Sequence, residues 1–225
     1  MSASRRGEIL SMMLQLVDGH GAVRAARANS YALADRAYCL ARLTHLVDCY
    51  AAQPSVSAEE VQAWRAFLQY VSLDLRQEAE YPPTPGNGHE RLRKALAWAT
   101  GYSSGVLYES LLRHLAVGHP DEWEGAHYTP ELWREEDLDD LYCLTLGRGK
   151  VQALLDLLRT AAKEEQRVQV QRLDHVLKSN LPRLIEHYAY YEEDVLGQWE
   201  ETQRRMCFPA EWWWHYPLSV PRENR

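Results

Sequence analysis

Nine acids fall within the twenty residues 121–140: Asp121, Glu122, Glu124, Glu131, Glu135, Glu136, Asp137, Asp139 and Asp140, against the single base Arg134. Trp123, Tyr128 and Trp133 are interleaved with them. Two readings fit such a belt. Carboxylates of one sign raise the association rate of a basic protein, and aromatic side chains supply desolvated anchors. The same acids also suit a solvated surface whose negative charge sits at helix starts. A calcium loop does not fit, because the D-x-D-x-D-G spacing is missing. Taken as a docking face, the belt comprises Asp121, Glu122, Trp123, Glu124, Trp133, Glu135, Glu136, Asp137, Asp139 and Asp140.

Nine histidines invite a search for catalysis. Arg113 and His119 have an R-x5-H spacing that resembles the helical ribonucleases in which paired Arg and His act on RNA. There the Arg would stabilise phosphate charge and the His would move a proton. Here Leu115 follows His114 and Gly118 precedes His119, where those enzymes usually carry a polar residue after the Arg. A metal-dependent helical enzyme is the neighbouring alternative. Glu124-x-x-His127 and Glu186-His187 are fragments of a carboxylate-bridged metal site, but a di-iron bundle needs two E-x-x-H motifs and two further Glu. His45, His114 and His187 could converge on a metal, though their spacing favours nothing over single satisfied histidines. G-x-S-x-G, P-loop and G-x-G-x-x-G motifs are absent. Gly147-Arg148-Gly149-Lys150 reads as a short turn with two cations before a helix start, where a phosphate could sit. The sequence therefore assigns no catalytic, metal-binding or cofactor-binding set, and the expectation is a protein that is not an enzyme.

The elements that must position these residues are helical. Ile9, Met12, Met13, Leu16 and Val17 share one helix face, with Ser4 as N-cap and Gly19 as stop. Leu33, Ala37, Leu40, Thr44 and Val47 form the stripe of a second helix, which halts before Pro54. Ser57-Ala58-Glu59-Glu60 is a capping box, followed by Val61, Trp64, Leu68, Val71 and Leu75 in alternating steps of three and four. Three prolines and two glycines in Tyr81–Gly88 interrupt the helices, and a long interhelical loop within one body is favoured over a domain linker. Beyond it, short helices are predicted around 92–99, 106–115 and 138–146. Another starts at Val151 and extends toward Val176, and a last one starts at Asn180-Leu181-Pro182, with Leu184, Tyr188, Tyr191, Val195 and Trp199 inward. Strand signals are nearly missing. The prediction is an all-α chain: a single helical domain over 1–225, with an internal break at 81–89. It forms a multi-helix antiparallel bundle or a short stack of helical hairpins, of about seven to nine helices. The tail is irregular and Trp-rich, and Trp212-Trp213-Trp214 cannot all face one way, so the tail either folds back over the bundle or presents a binding peg.

Composition narrows the classes. A chain of 225 residues with 46% hydrophobic and 25% charged residues can build a core, which argues against disorder. With 25 Lys and Arg against 32 Asp and Glu, the formal charge is −7, which disfavours binding nucleic acid through a basic surface. No apolar run approaches a membrane span, and Met1–Gly7 leads into an amphipathic segment, so a cytoplasmic protein is expected. Eight Trp and thirteen Tyr stand against two Phe, an aromatic content suited to interfaces. Cys39, Cys49, Cys143 and Cys207 have no zinc spacing and read as reduced, mostly buried thiols. Arginines outnumber acids in the first forty-two residues, so a basic end could meet an acidic one in a homodimer.

In size, acidic charge and Tyr/Trp-rich helices, the chain resembles the all-helical immunity proteins of bacterial toxin–immunity pairs. The segment Asp137–Leu158, DLDDLYCLTLGRGKVQALLDLL, is similar to helix pairs of that group, with an acidic start, an aromatic-aliphatic body and a glycine turn. The resemblance covers the C-terminal half. It implies inhibition by tight protein contact, often of a basic nuclease whose active site is plugged by carboxylates, a role that falls here to residues 121–140. The expected partner is a basic toxin domain. A helical adaptor is the remaining alternative.

Overall fold

The computed structural model describes residues 2–25, 30–80, 89–114, 130–191, 203 and 205–215. These hold six α-helices and no strand: α1 (Ser2–Ala25), α2 (Ser30–Ala51), α3 (Ala58–Glu80), α4 (Glu90–His114), α5 (Pro130–Leu158) and α6 (Glu164–Tyr191). None of them is long and apolar enough to cross a membrane.

The α3 start follows from its capping box. Glu60 N–H donates to Ser57 Oγ (3.2 Å), and Ser57 N–H donates back to Glu60 Oε2 (2.9 Å), which satisfies two orphan donors at once. Glu60 also takes Arg6 Nη2 at 2.6 Å, tying α1 to this cap. These hydrogen bonds, those from Ser57 first and then the Arg6 charge, hold the Glu60 carboxyl below its ordinary pKa.

Among the described residues there are six long helices, against an expectation of seven to nine for the whole chain, and several of the expected boundaries fall elsewhere for particular reasons. Gly19 does not stop α1, and Gly101 and Gly105 do not divide α4. The Gly147–Lys150 turn does not exist: both glycines lie inside α5. A Cβ on Gly147 would stand 2.6 Å from Ser103 Oγ of α4, and one on Gly149 would stand 2.6 Å from Tyr38 Cε2 of α2. Glycine here permits close approach of helices, and the surrounding contacts outweigh its cost in helix propensity of about 1 kcal/mol. Conversely, the helix expected to run from Val151 toward Val176 breaks at Arg159, whose φ of 48° lies in the left-handed region. A 3-10 turn (Arg159–Ala161) and extended Ala162 follow. Lys163 N–H then donates to Gln166 Oε1 (3.2 Å) at the start of α6. Asn180-Leu181-Pro182, expected as a helix start, lies within α6. Just before the proline, Ser179 and Asn180 side chains donate to the carbonyls of His175 and Val176.

Packing is largely antiparallel. Arg36 reaches Asp74 while Tyr50 reaches Glu60, so α2 and α3 run oppositely. Ser103 meets Gly147 and Arg93 donates to Ala161 O, so α4 and α5 do too. α2 touches α1, α3, α4 and α5, while α4 also touches α6. One hydrophobic core takes Ile9 and Met13, Leu33 to Tyr50, Leu68 to Ala79, Leu92 to Leu107, Leu141 to Leu158 and Val170 to Leu184. Both sides of residues 81–88 therefore feed the same core. Of the expected α2 stripe, Leu33, Ala37, Leu40 and Val47 are buried, but Thr44 is exposed and donates to Leu40 O.

The C-terminal segment 205–215 folds onto this body, with Phe208, Trp212 and Trp214 buried in the core.

Alanine at Gly149 should cost about 1–3 kcal/mol through overpacking against Tyr38, whereas Gly101→Ala, with open space at its Cβ, should gain about 0.5–1 kcal/mol. Urea denaturation of both variants checks this. Equal stabilisation would show that α5 does not need its close approach to α2.

Candidate functional site

Of the expected docking face, Asp121, Glu122, Trp123 and Glu124 lie outside the described residues. Trp133, Glu135, Glu136, Asp137, Asp139 and Asp140 lie on the N-terminal half of α5, and only their backbone is described. Arg113, weighed for catalysis, and His114, weighed as a metal ligand, occupy the last turn of α4, and His187 lies toward the end of α6, all three described by backbone alone. His119 and His127 lie outside the described residues. His45 is half-buried on α2, and burial, then the Arg42 charge, lowers its pKa. Among the described residues, no three His, Cys, Asp or Glu side chains gather as a metal site would require.

Arg148 and Lys150, which as a turn could have met a phosphate, are instead carried into the interior by α5, 4% and 6% exposed. Arg148 Nε and Nη2 donate to the two oxygens of Asp174 on α6 at 2.5 and 2.9 Å. The same guanidinium reaches Gln152, which continues to Asp156. Burial raises the Asp156 pKa. Lys150 Nζ meets Asp35 Oδ1 of α2 at 2.6 Å. Arg36 of α2 answers both Asp74 and Glu78 of α3. These cations brace neighbouring helices, and losing one partner of such a buried pair typically costs about 3–5 kcal/mol.

The C-terminal segment closes over two of the buried arginines. Arg42 donates to the carbonyls of Cys207 (2.8 Å) and Met206 (2.5 Å) and lies 3.9 Å from the Phe208 ring centroid. Arg148 lies 4.3 Å over Trp214, and Lys178 of α6 lies 5.2 Å over Trp213. His215 stacks on Phe208 with centroids 3.4 Å apart, and its Nδ1 pairs with Gln203 Oε1 at 2.8 Å. Burial, and then the positive charge of Arg42, push the His215 imidazole down to about 2, so it is neutral here and Nδ1–H donates to Gln203.

The outer surface shows what the interior leaves available. Tyr31 of α2 stands edge-on to Trp98 of α4 at 5.4 Å, and Trp98 stacks on Tyr102 at 5.4 Å. Tyr31 and Tyr102 are 52% and 43% exposed, although Tyr31 also covers Lys150 at 4.9 Å. The nearby Asp35 carboxylate, and the hydrogen bond Tyr31 donates to it, push the Tyr31 phenol up. This ladder leads from a buried ion pair to solvent. Beside it, Ala97, Gly101 and Ser104 of α4 face Gln169, Arg172 and Val176 of α6 across a groove of about 550 Å³. Small side chains permit close approach of another backbone, and exposed aromatic faces add contact area with little rotamer freedom to lose. The arrangement suits protein contact. Sequence reasoning missed the ladder because Tyr31 and Trp98 are 67 residues apart, and only helix packing unites them.

No family model, curated protein or solved structure matches this chain. Its class is defined by architecture alone, an all-helical bundle with a buried ionic frame.

His215 gives the bundle an acid-sensitive joint. Below pH 6.5 the unfolded chain takes up a proton that folded His215 refuses until about pH 2. Its contribution is full above pH 6.5 and falls with pH, by at most about 1.4 kcal/mol per unit. In denaturation curves at pH 7, 6 and 5, wild type should lose more stability than His215→Gln. Parallel loss in both would show that His215 is not the joint.

Proposed function

We propose that this chain is a non-catalytic, protein-binding protein that neutralises a basic partner, as the all-helical immunity proteins it resembles do. One observation carries this reading: the distribution of charge. Nine acids against one base make residues 121–140 carry −8, more than the net −7 of the whole chain, so the remaining residues sum to +1. Within the bundle, Arg6, Arg36, Arg148 and Lys150 are paired with Glu60, Asp74, Glu78, Asp174 and Asp35, all acids from outside the belt. Residues 121–140 are thus the densest source of negative charge, with a second run of six acids and no Lys or Arg over 186–201, and such a field would draw in a cationic protein and steer its approach.

Aromatic anchors support the same reading. α5 runs from the acidic stretch to Lys150, which Tyr31 of the ladder covers, so one helix links the acidic segment to a contact surface carried by α2 and α4. The partner would be a basic toxin domain encoded beside this chain, met in the cytoplasm of the producing cell.

The test uses the full chain and the C-terminal domain of the protein encoded by the adjacent reading frame. Combined E135K, E136K, D139K and D140K substitutions should weaken capture at least about tenfold, equivalent to about 1.4 kcal/mol, and flatten its salt dependence without shifting the melting temperature. Unchanged capture would remove the belt as the docking face. RNA cleavage by the purified protein, lost in Arg113→Ala or His119→Ala, would replace the reading with that of a ribonuclease.

A further inference from the structure

Two of the four cysteines meet where α1, α2 and the C-terminal segment converge. Arg5 of α1 donates from Nη2 to Cys207 Sγ at 2.6 Å. Cys49 of α2 has its Sγ 3.5 Å from His45 Nε2 and lies close enough to the Cys207 thiol for the two to interact. Both sulfurs are half-buried, and Met206 and Arg5 beside them reach solvent. Cys207 has a φ of 50°, a left-handed backbone that costs a non-glycine residue about 1–3 kcal/mol. Arg42 holds that conformation by gripping the carbonyls of Met206 and Cys207. The backbone is thus secured in the geometry that brings this sulfur to Arg5 and Cys49.

We infer that Cys207 and Cys49 form a peroxide-responsive thiol pair, in which Cys207 is oxidised first and Cys49 resolves it to a disulfide that staples the C-terminal segment to α2. The site is independent of the acidic belt and of any partner bound there.

The roles follow from the surroundings. Arg5 sets a positive charge against the Cys207 sulfur, where it can steady the negative charge that develops on the departing oxygen. Cys207 Sγ attacks hydrogen peroxide, an S–O bond forms, and the O–O bond breaks. Hydroxide leaves and is protonated to water, and the sulfur is oxidised by two electrons to a sulfenic acid. Cys49 Sγ then attacks that sulfur, the S–S bond forms, and the S–O bond breaks. The Cys49 proton passes to the departing oxygen, which leaves as a second water. Two thiols and one peroxide thus become one disulfide and two waters. Burial pushes the Cys49 thiol up to about 11, which suits a thiol that stays protonated until attacked. His45 Nε2, 3.5 Å from Cys49 Sγ, can relay that proton to the departing oxygen. Burial likewise pushes Cys39 up to about 11, and no Arg–sulfur contact like that of Cys207 accompanies it among the described residues.

The full chain treated with a small excess of hydrogen peroxide, alkylated and digested, should yield a Cys49–Cys207 cross-linked peptide, with Cys39 and Cys143 recovered alkylated. The oxidised protein should melt several degrees higher, reversed by dithiothreitol. In Cys49→Ser, a dimedone-trapped sulfenic acid should accumulate on Cys207, and Arg5→Ala should slow cross-linking several-fold with helicity unchanged. Absence of the cross-link in folded wild-type protein, or equal oxidation of all four cysteines, would overturn the inference. So would cross-linking at an undiminished rate in Arg5→Ala.

Discussion

A guanidinium taken out of water must be answered by other groups, and in this bundle the C-terminal segment helps to answer two of them. Arg42 is met by the carbonyls of Met206 and Cys207 and by the face of Phe208. Arg148 is met by Asp174 and by the face of Trp214. These contacts hold a segment with little helix of its own against six helices. Once it is held, Trp212 and Trp214 complete the core, His215 is sealed in its neutral form, and Cys207 lies beside Arg5. Removing the segment would leave buried charge without its partners, a larger penalty than the loss of apolar area alone. The tail is in this sense an internal component of the fold.

The same demand organises the helices. Arg36 joins α2 to α3, Lys150 joins α5 to α2, and Arg148 joins α5 to α6. Apolar stripes can slide or rotate at small cost, because dispersion and hydrophobic burial have no direction. Buried ion pairs and two packing glycines constrain register, since each tolerates only one axial placement of its partner. Charge buried in this way is withdrawn from the surface, while the densest runs of acids, 121–140 and 186–201, lie apart from these pairs in the sequence.

Much of the local structure was legible in the residues. Ser57 and Glu60 form the reciprocal cap that their spacing demands, and the stripes of α1, α2 and α3 are buried nearly as periodicity indicates. Helix ends were less legible where glycine was the signal. Glycine marks a stop when the chain must turn, but it also marks the place where two helices touch, and residue type alone cannot distinguish the two. The break at Arg159 had no sequence signal, because nothing in Leu158–Lys163 resembles a turn. Of the candidate site, the acidic belt is a property of composition and could be read directly. The aromatic ladder and the thiol pair join residues far apart in the chain and could not.

What the sequence by itself determined is the helical class, the strong cap, the apolar faces and the concentration of negative charge, all set by interactions between residues a few positions apart. Tertiary structure alone decided that Arg148 and Lys150 face inward, that Gly147 and Gly149 are contacts, and that Trp212 and Trp214 belong to the core. It also decided that Cys49 meets Cys207. The reason is physical: periodicity records which side of a helix avoids water, while the identity of the group that meets it depends on packing between segments distant in the chain.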